Sequence, residues 1–294
     1  MMYILLLLLC WFPSAYAVTP PEISPALLAK QKYGKDAAVI IGNENYHRIP
    51  QAVYAQNDAN AVLDFVKSTR RIPSWKTTHL TNSTKKEINS ALHKQSKYIS
   101  KNATLWIYFA GQGYTDRDGN RYLLPIDTPP DDPLANAIEL NEMMASVSKR
   151  GNRVILIVDA SFGNIGRDGL EVLDLKKNHM PYDIVNNDPK QIFWLADTRD
   201  LSNPNFAMAQ HGLFTYLFLG AMKGWADGEL DNQQDGIITI GEAQSYVAHK
   251  MFQLGTPLTP SIFPSEEVQS IEIHKAPNLE IGPNDALLEQ ISIA

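Results

Sequence analysis

TLWIYFAGQG (residues 104–113) and RVILIVDASFG (residues 153–163) decide the fold. Each opens on a continuous apolar run and breaks at a short turn containing glycine. A strand buried on one face alternates apolar with polar residues. A strand buried on both faces does not, and such strands belong to parallel sheets covered by helices. Residues 37–41 (AAVII, ended by Gly42) and 191–196 (QIFWLA) read the same way. Between these runs lie helical patterns. Residues 53–68 space Val53, Ala61, Leu63, Phe65 and Val66, and 84–99 opens on the capping box Thr84-Lys-Lys-Glu87. Residues 140–149 also read as a helix. The alternation predicts an α/β fold: an open, mostly parallel sheet with helices on both faces. Residues 77–80 fit a short strand. Asp118-Gly119-Asn120 fits a hairpin turn before the strand-like residues 122–124. The polar stretch 163–189 is expected to be a long mobile loop. Residues 212–223 and 241–252 read as helices around a loop rich in Asp and Gly.

The 294 residues allow one large or two modest domains. Hydrophobic residues make up 44% and charged residues 20%, enough to bury a core, which excludes wholesale disorder. The net charge of −6 argues against a nucleic-acid partner. Residues 1–17, MMYILLLLLCWFPSAYA, combine a short apolar run with an Ala-Tyr-Ala cleavage site. The run falls short of the about 20 apolar residues of a membrane span. Residues 1–17 therefore read as a signal peptide, giving a periplasmic or secreted protein with no membrane span after cleavage. Cys10, the single cysteine, leaves with it. The expected organisation is signal peptide 1–17, lead-in 18–35, one domain 36–264 and a tail 265–294.

In an open parallel sheet, ligands bind beyond the carboxyl ends of the strands. Gly111-Gln112-Gly113 and Asp159-Ala160-Ser161 fall there. From the residues alone, both are equally strand-ending turns.

The chain resembles caspase-like peptidases of the metacaspase/orthocaspase type. The likeness runs through AAVIIGNENY (37–46), Asn57-Asp58, TLWIYFAGQGY (104–114), RYLLPID (121–127), RVILIVDASFG (153–163) and HGLFTYLFLGAMKGWAD (211–227). The resemblance implies a cysteine endopeptidase fold with a His–Cys dyad. The family's histidine position holds Gln112 here, and its cysteine position holds Ser161. A thiol of pKa about 8.5 yields its proton to imidazole and attacks as thiolate. A glutamine amide takes no proton near neutrality, and a serine hydroxyl needs a base more than a thiol does. The resemblance also gives Asp159 a substrate-binding role, in a pocket for a basic side chain. The plain alternative is an Asp capping strand-end amides.

Residues 231–242 fit a twelve-residue calcium loop, with Asp231, Gln233, Asp235, the Ile237 carbonyl, Thr239 and Glu242 at ligand positions. A capping box, Thr239 to Glu242, explains two of these without a metal.

Three readings follow. The first is an exported pseudo-peptidase that binds a peptide or protein partner and needs no cofactor. The second is a hydrolase using Ser161 with a recruited histidine, His47 or His179. The third is a structural module stabilised by calcium.

Overall fold

A computed structural model describes residues 19–23, 34–148, 152–163, 165–173, 184, 186–196, 204–256, 259–275 and 282–283. The signal-peptide stretch, Cys10 and His179 lie outside the described residues.

The chain opens with β1 (Ala37–Gly42), α1 (Ala55–Asp64), β2 (Thr77–Thr81), α2 (Lys85–Tyr98) and β3 (Thr104–Ala110). A small antiparallel sheet follows: β4 (Gln112–Thr115), β5 (Arg121–Leu124) and β6 (Ile138–Glu139), leading into α3 (Leu140–Val147). Then come β7 (Arg153–Asp159), β8 (Gln191–Leu195), β9 (Asn205–Phe206), β10 (His211–Gly212) and α4 (Leu213–Gly220). The last elements are β11 (Ile237–Thr239), α5 (Ile240–Gln253), β12 (Ser261–Phe263) and β13 (Glu272–Lys275).

The central sheet has the order β12-β8-β7-β3-β1-β2. Its neighbours pair in parallel, apart from β12, which runs antiparallel along β8. The apolar runs read as doubly buried strands, and every residue of β1 and β3 is buried. Alternate side chains then serve two cores. Ala38, Ile40, Trp106, Tyr108, Ile155, Ile157 and Trp194 meet Ala59 and Val62 of α1, Leu217 and Phe218 of α4 and Val247 of α5. Val39, Ile41, Leu105, Ile107, Phe109, Leu156 and Phe193 meet Ile88 and Leu92 of α2 and Leu140 and Met143 of α3. Helices thus cover both faces, and each large side chain so buried is worth roughly 1.5–3 kcal/mol.

Local chemistry sets the element ends. Thr84 Oγ1 accepts from Glu87 N–H while Thr84 N–H donates to Glu87, the expected capping box. The β4–β5 hairpin turns through Gly119 at φ 77, with Asp116 Oδ1 accepting the N–H groups of Asp118 and Asn120 at 2.9 Å each. Three details differ from expectation. Gln112 lies within a strand, because residues 112–115 pair with 121–124. Helix α3 ends at Val147, short of residue 149. The domain also continues past residue 264: β13 pairs with β11, and Val268 and Ile273 are buried. Among the described residues no helix is long and apolar enough to cross a membrane.

Candidate functional site

Strand order reverses between β1 and β3, since the chain moves outward from β1 to β2 and then returns to the other side of β1. The segments leaving the carboxyl ends of β1, β3 and β7 meet at this edge. Asn43, just past β1, is fully buried. It accepts Ser83 N–H at 2.7 Å and donates to Ser83 O at 3.1 Å, tying that end of β1 to the turn after β2. The Tyr46 hydroxyl donates to Leu124 O at 2.8 Å and accepts Gln112 N–H at 2.8 Å. Burial pushes the Tyr46 phenol well above its ordinary value, so it stays protonated and can donate.

Gln112 and Ser161 come together here, and both are fully buried. Gln112 Nε2 donates to Pro50 O at 3.2 Å and Gln51 O at 3.1 Å. Its amide nitrogen is therefore a donor held by two carbonyls, with no lone pair that could take a proton. Two glycines let the segments close over it. A Cβ on Gly113 would stand 2.5 Å from Ser161 O, and one on Gly166 would stand 2.7 Å from Gln112 Nε2. Thr115 Oγ1 donates to Phe162 O at 2.8 Å, so the β4 strand grips the turn after β7. His47, one candidate base, is exposed, whereas Ser161 is fully buried.

Asp159 ends β7 and is fully buried, and the structure places a basic side chain against it. That side chain is Arg167 of the same chain. Arg167 Nη2 lies 2.6 Å from Asp159 Oδ2 and Nη1 lies 2.7 Å from Asp58 Oδ2, with no exposure of any of the three side chains. Nη1 also donates to Val53 O and Nη2 to Asp159 O, both at 3.3 Å. Burial alone would lower the Arg167 pKa, but the carboxylates of Asp159 and Asp58 reverse this and hold it above the ordinary guanidinium value. Thr215 Oγ1 donates to Asp159 Oδ2 at 2.5 Å, and Tyr108 sits 2.6 Å from the same Oγ1. With the Thr215 proton committed to the carboxylate, Tyr108 is the donor to Thr215. Burial, with the nearby carboxylates, raises the Tyr108 phenol and keeps it neutral. Asp58 Oδ1 takes Gly212 N–H at 3.0 Å and His211 Nδ1 at 2.9 Å.

Residues 163–189 are expected to form a long mobile loop. Within them, residues 165–173 are pinned. Ile165 and Glu171 form an antiparallel bridge, Gly166 N–H donates to Leu170 O at 2.8 Å, and Val172 and Leu173 enter the core. The buried ion pair supplies the reason. Residues 174–183 lie outside the described residues.

Reasoning from the residues passed over Arg167, Thr215 and Tyr46. Asp58 entered only through the resemblance, yet a residue-level signal for it was present. It sits on the buried stripe Ala55, Asp58, Ala59, Val62 of α1, where a charge needs a partner.

The side chains of the 231–242 loop are arranged as turns and a helix cap. Asp231 and Asp235 are exposed and accept the N–H groups of Gln233 and Ile237, each at 2.8 Å. Gln233 is exposed, and Ile237 begins β11. Glu242 Oε2 takes Thr239 N–H at 2.9 Å and its hydroxyl at 2.8 Å, and Oε1 takes Gly228 N–H at 3.1 Å. Both oxygens are thus used in a capping box and a turn, the alternative reading of Thr239 and Glu242. Among the described residues no group of three or more His, Cys, Asp or Glu side chains is arranged to hold a metal ion.

A family model described as the caspase domain matches residues 35–281. The crystal structure of caspase-1 from Spodoptera frugiperda aligns with TM-score 0.52 and 11% identity, covering 88% of this chain and 100% of that one. The structure of pro-sf-caspase-1 aligns with TM-score 0.50 and 11% identity, over 84% and 93% of the two chains. The Drosophila initiator caspase Dronc gives TM-score 0.48 and 8% identity, over 87% and 85%. At such identities the likeness is one of fold. No curated protein matches the chain. With a family model spanning most of its length, and the parallel sheet and strand-end loops described above, the chain belongs to the caspase domain family.

Proposed function

We propose that this chain is an exported caspase-domain protein that does not cleave peptide bonds and acts by binding a peptide or protein partner. The observation that carries the reading is Gln112. It holds the position where the family resemblance places the histidine base, and its amide donates to two backbone carbonyls. Gln112 therefore cannot serve as the proton acceptor for a nucleophile at residue 161. The Ser161 hydroxyl is buried, and its acidity is far below that of a thiol. Export to the periplasm or out of the cell is supported by residues 1–17, read as a signal peptide. An open groove of about 340 Å³ between α2 and α3, lined by Leu92, Ile138 and Met143 with Lys85, Glu139 and Glu142, has the size of a ligand site.

The test exposes the chain from residue 18 onward to a serine-reactive fluorophosphonate and to a mixed peptide library, beside Ser161→Ala. The reading expects no labelling and no cleavage in either protein. Labelling or cleavage lost in Ser161→Ala overturns it and favours a serine hydrolase.

A further inference from the structure

Parallel strands all start at the same end of a sheet, so the residues that start them share an edge. In this protein that edge is basic. Lys35 stands two residues before β1, Lys76 directly before β2 and Lys101 in the turn into β3, while Arg153 opens β7 and Lys190 directly precedes β8. The register aligns them: Ala38 pairs with Thr77, Ala37 with Leu105, Thr104 with Arg153 and Val154 with Gln191. At about 4.8 Å between neighbouring strands, the row is about 19 Å long. Lys35, Lys101 and Lys190 are exposed. The acids at these strand starts, Asp36 and Asp188, are both engaged. Asp36 pairs with Arg70 at 2.8 Å and accepts Thr104 N–H at 2.9 Å and Trp106 Nε1–H at 3.0 Å. Asp188 accepts Lys190 N–H at 2.9 Å and the Gln191 side-chain amide at 3.0 Å. A chain of net charge −6 thus gathers cations along one edge.

Trp75 stands within this row. It is 65% exposed, whereas Trp106, Trp194 and Trp225 are buried. Its ring is seated on a fixed cation. Lys76 Nζ lies 5.1 Å from the ring centroid and is itself held by Lys35 O at 2.9 Å and Ser100 Oγ at 3.0 Å. An exposed amphipathic ring beside exposed cations is the pairing that seats a protein at an anionic membrane–water interface. A groove for a nucleic-acid strand lines its cations with successive aromatic platforms, and Trp75 is the only exposed tryptophan among the described residues. The row lies at the opposite end of the strands from Gln112 and Ser161, about 20 Å away along strands of six or seven residues.

We propose that the amino-terminal edge of the central sheet is a docking surface for an anionic lipid membrane, with its row of lysines and Arg153 on the head groups and Trp75 in the interface. The protein then lies on the bilayer without crossing it and turns the carboxyl-end site away from the lipid. Each Lys or Arg held near an anionic leaflet adds about fivefold in affinity, an attraction that fades within a Debye length.

The chain from residue 18 onward keeps every described residue and removes the apolar run that precedes them. Its sedimentation is measured with vesicles of phosphatidylcholine, with and without about 30% phosphatidylglycerol. Binding is expected to be at least tenfold tighter to the anionic vesicles and to be lost at about 1 M salt. Lys35→Glu, Lys101→Glu and Lys190→Glu together weaken it at least tenfold. Arg48→Glu, Lys86→Glu and Arg117→Glu together make the same change in charge at exposed residues toward the opposite end, and weaken it far less. A bromine-labelled lipid quenches the tryptophan fluorescence of the unsubstituted chain and leaves that of Trp75→Phe nearly unchanged. Equal binding to the two kinds of vesicle overturns the proposal, as do equal losses in the two triple variants. Tighter binding to a single-stranded oligonucleotide than to the anionic vesicles also overturns it and makes the edge a nucleic-acid surface. Should the first triple variant fail to fold, the quenching decides: its loss in Trp75→Phe supports the proposal, and its absence from the unsubstituted chain refutes it. None of these measurements reads peptide binding or cleavage, so the proposal stands or falls apart from the partner-binding reading.

Discussion

Replacing Arg167 by methionine keeps most of the side-chain length and deletes the charge that Asp58 and Asp159 share. The three side chains have no exposure, and their contacts are 2.7 and 2.6 Å. Removing one partner of a buried pair leaves an uncompensated charge and costs about 3–5 kcal/mol. Here two carboxylates are left facing each other, which places the expected loss at the upper end. Against a total stability of about 5–15 kcal/mol, that is a large fraction. In a domain of this size it corresponds to a melting temperature lower by roughly 6–20 °C. Arg48 is the internal control. Its bond to Asp131 is 3.1 Å, but the two side chains are 58% and 84% exposed. Arg48→Ala should cost about 0–1 kcal/mol. Urea unfolding followed by tryptophan fluorescence measures both, provided the slope with urea is unchanged. Neutralising the site fully, with Arg167→Met, Asp58→Asn and Asp159→Asn together, should recover most of the loss. If Arg167→Met lies within about 1 kcal/mol of the unsubstituted chain, or matches Arg48→Ala, the buried-pair argument fails.

Gly212→Ala should destabilise by about 1–3 kcal/mol through crowding, since its φ of −64 is ordinary and the methyl is opposed by approaches of 2.6 Å to Arg167 and Asp159 and 3.0 Å to Asp58; an unchanged melt would contradict this close packing. Burial alone would raise the Asp116 pKa, but hydrogen bonds from Asn120, Tyr122 and Asp118 bring it below the ordinary 3.8. Its stabilisation is therefore complete above about pH 4 and is lost as pH falls through the lower folded value. The stability gap between the unsubstituted chain and Asp116→Asn should shrink between about pH 4 and pH 2, and a gap constant over that range would refute the assignment. Millimolar calcium should leave the melting temperature equal to that in a chelator, because Glu242 is spent on Thr239 and Gly228, while Thr239→Ala should cost about 0.5–2 kcal/mol as a lost cap. A rise of several degrees with calcium would show that the cap opens to become a ligand.

The sheet was legible because burial on both faces writes itself into consecutive residues. The apolar runs of β1, β3, β7 and β8 need no partner to be recognised, and the two glycine-bearing turns after β3 and β7 mark where a parallel sheet puts its site. Gln112 and Ser161 were legible as positions, through the family resemblance, and the structure brings their segments into contact. Arg167 was not legible. It lies in a polar stretch with glycine on both sides, and such a stretch reads as solvated loop. Whether a charge there is buried depends on Asp58, 109 residues earlier, and on the close packing at Gly212. The 231–242 loop is ambiguous in the opposite way: its spacing suits a cation cage and a helix cap equally. The side chains choose the cap because Gly228 N–H takes the remaining Glu242 oxygen. Residues 265–294 read as a tail because the weak alternation at 268–273 means little until β11 is there to pair with residues 272–275.

Among the described residues the open sheet ends in two edge strands, and their chemistry limits how another chain can attach there. One edge is β12, three residues long and followed by Pro264, which carries no N–H. The other is β2, the five residues TTHLT, half-exposed and bearing a titratable ring in place of a continuous apolar face. A visiting strand needs a longer row of unpaired amides and a greasy surface beside it to gain from extending a sheet. Neither edge offers both. Among the described residues, a strand from another chain would thus gain little by extending this sheet at either edge.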